Sequence, residues 1–345
     1  MLVDDSLVAR TVMGRILGGR DDMAVVGAAA NVGQALDLLD RASVDVIVLD
    51  VQMPGRDGLS ALPELIARAG GARVLMVSTI TSDGAESTVR ALTQGAADTL
   101  LKPAAADFTG TFAAALIERL LRIGRMPPAD AAMAGLRRDR ASAAAEAGVE
   151  CIAIGASTGG PHALSALFAA LPGELGVPVL VTQHLPEPFM PYFARQLEDI
   201  ARRAVTVARD GALVMPGDIL IAPGDAHLRI VRTREGVRVR LDRTPSASGH
   251  MPSVDAMLVS VAEVYGRLAT GVVLSGMGRD GLIGAGLLAA QGGDVVVQDA
   301  ATSVVWGMPG VIAKAGIAAA VLPPEAIAQR IGKRCQRNRG FARWM

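Results

Sequence analysis

Cys151-Ile152-Ala153-Ile154-Gly155-Ala156-Ser157-Thr158-Gly159-Gly160 is the stretch that decides the fold. Its apolar first half predicts a buried strand, its glycines predict a tight turn, and the pattern over Ala163–Ala170 predicts a helix. Within it, Gly155-x-Ser157-x-Gly159 fits a nucleophile elbow, a turn that exposes a serine beside helix N–H groups able to stabilise an oxyanion. The same turn can also bind an anion without doing chemistry, and the motif alone leaves both readings open.

Working outward, Val177–Val181, Gly271–Leu274 and Asp294–Val297 are further apolar runs, as expected of strands covered on both faces. Helical patterns follow at Phe189–Ala201, Ser253–Tyr265 and Leu282–Ala290. Asp218–Ala222, His227–Arg232 and Val237–Leu241, joined by turns at Pro223-Gly224 and Glu235-Gly236, predict an antiparallel insertion on this parallel sheet. The first part of the chain alternates in the same way. Strands are expected at Met23–Val26, Asp45–Leu49, Arg73–Val77 and Thr99–Leu101, and helices at Ala35–Arg41, Leu59–Ala69 and Ser87–Gln94. The fold class is α/β, two doubly wound parallel-sheet domains. Between them, Pro127-Pro128 and the alanine run Ala141–Ala145 predict a linker over 122–149.

The 345 residues suit two domains. Charge is balanced, 34 basic against 34 acidic, so nothing electrostatic favours nucleic acid as a partner. Charged residues interrupt every apolar run before it reaches the ~18 residues of a membrane span. No signal peptide is read at the start, and two cysteines are too few for a disulfide framework. A soluble, cytoplasmic protein without membrane insertion is expected. The cluster Lys333, Arg334, Arg337, Arg339 and Arg343 reads as a solvated basic tail, 332–345.

Asp4, Asp5 and Asp50 each follow an apolar run, so they fall at strand carboxyl ends, where open α/β sheets bind ligands. Three carboxylates so placed call for a cation, and Mg²⁺ favours such oxygen ligands. Ser78 and Lys102 end two further strands. Together these residues suit a phosphoryl group carried by Asp50. With Leu49-Asp50-Val51-Gln52-Met53-Pro54, Asp57-Gly58 and Lys102-Pro103, residues 1–121 resemble a flavodoxin-like response-regulator receiver domain. The resemblance implies Asp50 as phospho-acceptor, Asp4, Asp5 and Asp50 as Mg²⁺ ligands, Ser78 as switch hydroxyl and Lys102 as phosphoryl contact. Only Met1-Leu2-Val3 precede the acid pair, so a truncated first strand and a weakened receiver are expected.

A nucleophilic serine needs a base. Of His162, His184, His227 and His250, only His184 directly ends a buried-type strand on the same edge as Ser157. The third member is a carboxylate that fixes the imidazole. Asp280, in Ser275-Gly276-Met277-Gly278-Arg279-Asp280-Gly281, is preferred over Asp299, although Asp280 also suits a helix N-cap. The order Ser, His, Asp departs from that of α/β-hydrolases.

Residues 150–331 resemble the catalytic domain of chemotaxis protein-glutamate methylesterases. The resemblance rests on Ile154–Gly160, Thr182-Gln183-His184-Leu185-Pro186, Ile221–Asp225, His250-Met251-Pro252-Ser253-Val254-Asp255 and Ser275–Gly281. It implies a Ser157–His184–Asp280 triad, with Thr158 and Met277 near the oxyanion and no cofactor at the esterase site. It also implies hydrolysis of glutamate γ-methyl esters on chemoreceptors, deamidation of receptor glutamines, and control through Asp50 by a chemotaxis histidine kinase. Rival readings are a receiver joined to a DNA-binding output and a binding-only protein with an inert site.

Overall fold

A computed structural model describes residues 1–78, 82–102, 110–124, 148–173 and 175–341, with side chains given except at 82–84 and 337–341. Contacts divide the chain into two compact units, one within Met1–Pro127 and the other within Pro128–Met345. Most of the expected linker, from 125 to 147, lies outside the described residues, as does Pro103.

The first unit is a five-stranded parallel sheet in the order β2-β1-β3-β4-β5, from β1 (Leu2–Val3), β2 (Ala28–Ala29), β3 (Val46–Asp50), β4 (Arg73–Ser78) and β5 (Asp98–Leu101). Helices α1 (Leu7–Gly18), α2 (Val32–Leu39), α3 (Gly58–Arg68), α4 (Ser82–Thr93) and α5 (Thr111–Gly124) complete it, α5 running past the expected boundary at Leu121. β1 is short but central, and Leu2 and Val3 are buried against both neighbours. Leu2 and Val3 pair with Ala28 and Ala29, so the more apolar Met23–Val26 finds no ladder partner and is not a strand.

The second unit holds a seven-stranded parallel sheet, β14-β13-β12-β6-β7-β9-β8. Its strands are β6 (Cys151–Ala156), β7 (Val179–Gln183), β8 (Val205–Val207), β9 (Ile219–Ile221), β12 (Ala269–Val273), β13 (Asp294–Gln298) and β14 (Ala320–Leu322). Its helices are α6 (Gly160–Ala170), α7 (Met190–Ala201), α8 (Val254–Tyr265), α9 (Leu282–Ala290), α10 (Met308–Lys314) and α11 (Pro324–Phe341). The expected insertion is smaller than its sequence pattern suggests. Ile219–Ile221, buried on both faces, joins the parallel sheet, and only β10 (His227–Thr233) and β11 (Gly236–Asp242) form a separate antiparallel hairpin. That hairpin packs on α8, with Leu228, Ile230, Val237 and Val239 in one apolar core with Met257, Leu258 and Val261.

The basic tail is a correction. Residues through Phe341 belong to α11, and Arg334, 2% exposed, pairs with the fully buried Asp294 at 3.4 Å and donates to Thr270. Arg330 donates to the same carboxylate at 2.9 and 3.0 Å. A buried carboxylate requires such partners, so the charge pattern that reads as solvated is in part an internal clamp. Lys333 is exposed, and Arg343 lies outside the described residues. Among the described residues no helix is long and apolar enough to cross a membrane.

Candidate active site and phosphoryl pocket

In the second unit β6 is central, and the chain leaves it first toward β7 and later returns on its other side as β12. A crevice forms at such a switch point, at the strand carboxyl ends. Ser157 follows β6 there, half-buried. Register pairs Ala156 with Gln183, which brings Ser157 beside His184 at the end of β7, and His184 N donates to Ala156 O at 3.0 Å. On the other side Ser157 N donates to Ser275 O at 3.0 Å. A Cβ at Gly276 would lie 2.9 Å from the Ser157 Cβ, so the 275–281 loop closes directly on the serine. The elbow depends on two glycines. Gly159 has φ +74°, and a Cβ on Gly160 would lie 2.2 Å from Gln183 Oε1. Gln183 uses its amide to hold Ser157 O at 2.9 Å.

His184 Nε2 lies 2.8 Å from Asp280 Oδ2. Its Nδ1 is buried with no hydrogen-bond partner among the described residues, which leaves that nitrogen as the available base. His250 stacks on the ring, with centroids 4.2 Å apart and planes 12° from parallel. Asp280 does not cap its own helix, whose N-cap is Gly281. It sits at the N-terminus of α8 instead, where Oδ2 accepts from Val254 N at 2.7 Å and Oδ1 from Ser253 Oγ at 2.8 Å and Asp255 N at 3.1 Å. Burial alone would raise its pKa. The His184 partner, the helix amide and the Ser253 hydroxyl outweigh this and hold it well below the usual carboxylate range. Asp255 returns the favour to α9, accepting from Gly284 N at 2.8 Å. Its own pKa is raised, by burial first and then by the charge of Asp280.

The other candidates fall elsewhere. Asp299 accepts from Thr302 N and Oγ1 as a turn residue, and His162 is exposed on α6. The N–H of Ser157 is committed, while those of Thr158 and Met277 have no backbone acceptor among the described residues. Ser253 and the first amides of α8 are the functional groups that the sequence reading missed. Their signal was present, because Pro252-Ser253 before an apolar helical pattern is an N-cap signature.

In the first unit Asp50 ends β3, Ser78 ends β4 and Lys102 follows β5. Lys102 Nζ lies 2.6 Å from Asp50 Oδ2 and 2.9 Å from Asp4 Oδ2. Burial opposes the lysine's charge, but the two carboxylates raise its pKa on balance. Burial raises the Asp50 pKa, against the pull of Lys102. Asp4, Asp5 and Asp50 each offer an oxygen within 4.8 Å of the others, an oxygen-only set that fits Mg²⁺. Ser78 Oγ is 3.1 Å from Thr88 Oγ1 on α4. A Cβ at Gly58 would meet Asp50 O at 1.9 Å, so only glycine lets α3 start so close to this site.

A central-strand carboxylate beside a lysine, joined in one chain to a strand-end serine with a histidine–aspartate pair, defines a two-unit protein: a phosphoacceptor receiver and a serine hydrolase. The family model described as CheB methylesterase matches residues 152–331, and that described as Response regulator receiver domain matches residues 1–109. The chain belongs to the CheB methylesterase family, with a receiver domain ahead of the methylesterase domain. It is 40% identical to protein-glutamate methylesterase/protein-glutamine glutaminase 2 of Caulobacter vibrioides, over 97% of this chain and 98% of that protein. It is 37% identical to the enzyme of the same name from the group 2 operon of Bradyrhizobium diazoefficiens, over 96% of this chain and 93% of that one. The crystal structure of the Thermotoga maritima CheB methylesterase catalytic domain matches 54% of this chain and 98% of its own, at TM-score 0.52 and 36% identity.

Proposed function

We propose that the protein hydrolyses glutamate γ-methyl esters on chemoreceptors and deamidates receptor glutamines, under control of phosphorylation at Asp50. The observation that carries this reading is the His184–Asp280 pair at 2.8 Å, set in the segments that follow the two strands flanking that of Ser157. Ser157 Oγ attacks the γ-carbonyl carbon while His184 Nδ1 takes its proton. Thr158 and Met277 N–H groups face the developing oxyanion. The proton then passes to departing methanol, or to ammonia from a glutamine. Water, deprotonated by the same nitrogen, cleaves the acyl-enzyme and frees the glutamate and Ser157. Asp280 holds the ring and stabilises its cationic form. The intact pair argues against a binding-only protein.

In the receiver, Asp4, Asp5 and Asp50 hold Mg²⁺, which when bound offsets phosphoryl charge. Asp50 takes the phosphoryl group from a chemotaxis histidine kinase, Lys102 contacts it, and Ser78 leaves Thr88 to do so as well. Residues 1–121 act as receiver, 150–331 as esterase with α11 completing its fold, and the whole works in the cytoplasm. The test is mass spectrometry of methylated receptor peptides. Wild-type protein should remove methyl groups and Ser157→Ala should not, whereas equal removal by both refutes the proposal.

A further inference from the structure

His227 is buried, 2% exposed, at the start of the β10–β11 hairpin, and the catalytic steps above make no use of it. Both ring nitrogens are engaged. Nε2 lies 2.8 Å from Thr244 O, a carbonyl that can only accept, and Ser253 N donates to Nδ1 at 2.9 Å. Only the tautomer with its proton on Nε2 satisfies both contacts.

Ser253 is the N-cap of α8, and its hydroxyl has two tasks. Its lone pair receives Ala256 N at 3.4 Å, and its single proton goes to Asp280 Oδ1 at 2.8 Å. Ser253 and the next two residues supply three of the donors to Asp280; His184 supplies the fourth. A group that fixes the backbone of Ser253 therefore fixes how the α8 N-terminus meets the catalytic carboxylate.

We propose that His227 is a positioning residue for the esterase, acting through Ser253 on Asp280 and so on the orientation of His184. This rests on the triad reading and deepens it. It also gives the hairpin a task, because its apolar face is locked into the core with α8 while His227 sets the helix end. Moving Ser253 by a few tenths of an ångström weakens its bond to Asp280 and lets the imidazole rotate away from Ser157.

Two isosteres separate this role from packing. In His227→Asn the amide oxygen takes the place of Nδ1 and still accepts from Ser253 N. In His227→Gln the amide reaches Thr244 O but leaves Ser253 N unpaired. Methanol release from a peptide bearing a glutamate γ-methyl ester is measured on the full chain, with rates counted per mole of folded protein. His227→Gln should lower kcat about 10- to 100-fold at near-constant KM, the usual scale for a supporting shell. His227→Asn should stay within about threefold of wild type. Packing alone predicts the reverse, because glutamine is nearer to histidine in volume, and that order would overturn the proposal. In a double-mutant cycle Ser253→Ala should absorb most of the loss caused by His227→Gln, whereas additive losses would overturn it. Ser157→Ala run in parallel keeps the two readings apart. If it still releases methanol the triad reading fails, and if it is inactive while His227→Gln is not impaired only the His227 relay fails.

Discussion

Asp50 and Asp280 are both buried aspartates at parallel-strand carboxyl ends, and they have opposite fates. Burial pushes both toward the neutral form. Asp50 faces one lysine, a second carboxylate and a single long backbone contact, Gln52 N at 3.4 Å, and its pKa is raised. Asp280 receives four donors, two of them helix amides, and its pKa is lowered. Donor count, rather than burial, separates the directions of the two shifts. On the proposed function, the carboxylate that takes the phosphoryl group is the poorly satisfied one. One that must stay ionised through a catalytic cycle is saturated by the protein.

The largest effect expected from this contrast is on turnover. Ser157→Ala, His184→Ala and Asp280→Asn should each lower kcat for ester hydrolysis by about 10⁴–10⁶, with little further loss on combining them, measured as methanol release. Retention of a tenth of the rate in any of them would break the triad half of the comparison. Next comes the clamp in α11. Arg334→Met leaves the buried Asp294 charge with Arg330 as its remaining partner, and should cost the catalytic unit about 1–3 kcal/mol by denaturant titration. Phosphorylation should follow. A small-molecule phosphodonor with Mg²⁺ should raise ester turnover several-fold, a chelator should prevent the rise, and Asp50→Asn should abolish it.

The smallest effect has the most telling sign. Asp280 lies below its unfolded value, so its contribution to stability is complete above about pH 4 and is lost as pH falls through the folded value. Asp50 lies above its unfolded value, so its ionisation destabilises the receiver progressively as pH rises from the unfolded toward the folded value, and acidification back through that window relieves the penalty. At pH 7 Asp50→Asn should therefore raise the receiver's melting temperature, and Asp280→Asn should lower that of the catalytic unit. Shifts of the same sign would dissolve the comparison.

Much of this was legible in the sequence because strand-end chemistry is local. Asp50, Ser157, His184 and Asp280 each follow an apolar run, and their common edge follows from parallel topology alone. What escaped prediction depends on distant pairing. β2 shifts from Met23–Val26 to Ala28–Ala29 because a neighbour fixes its register, and Ile219–Ile221 joins the main sheet because β7 and β8 flank it. Arg334 could not be read as buried, because its partner Asp294 lies 40 residues earlier, at the start of β13. The tie from Ser253 to Asp280 spans two loops, and no spacing rule reveals it.

The α11 clamp also bears on synthesis. Asp294 opens β13, beside the central strands, and leaves the ribosome well before Arg330 and Arg334 do. Until then a charged Asp294 lacks both guanidinium partners, and at about 5–20 residues per second the interval before the last helix is made is a few seconds.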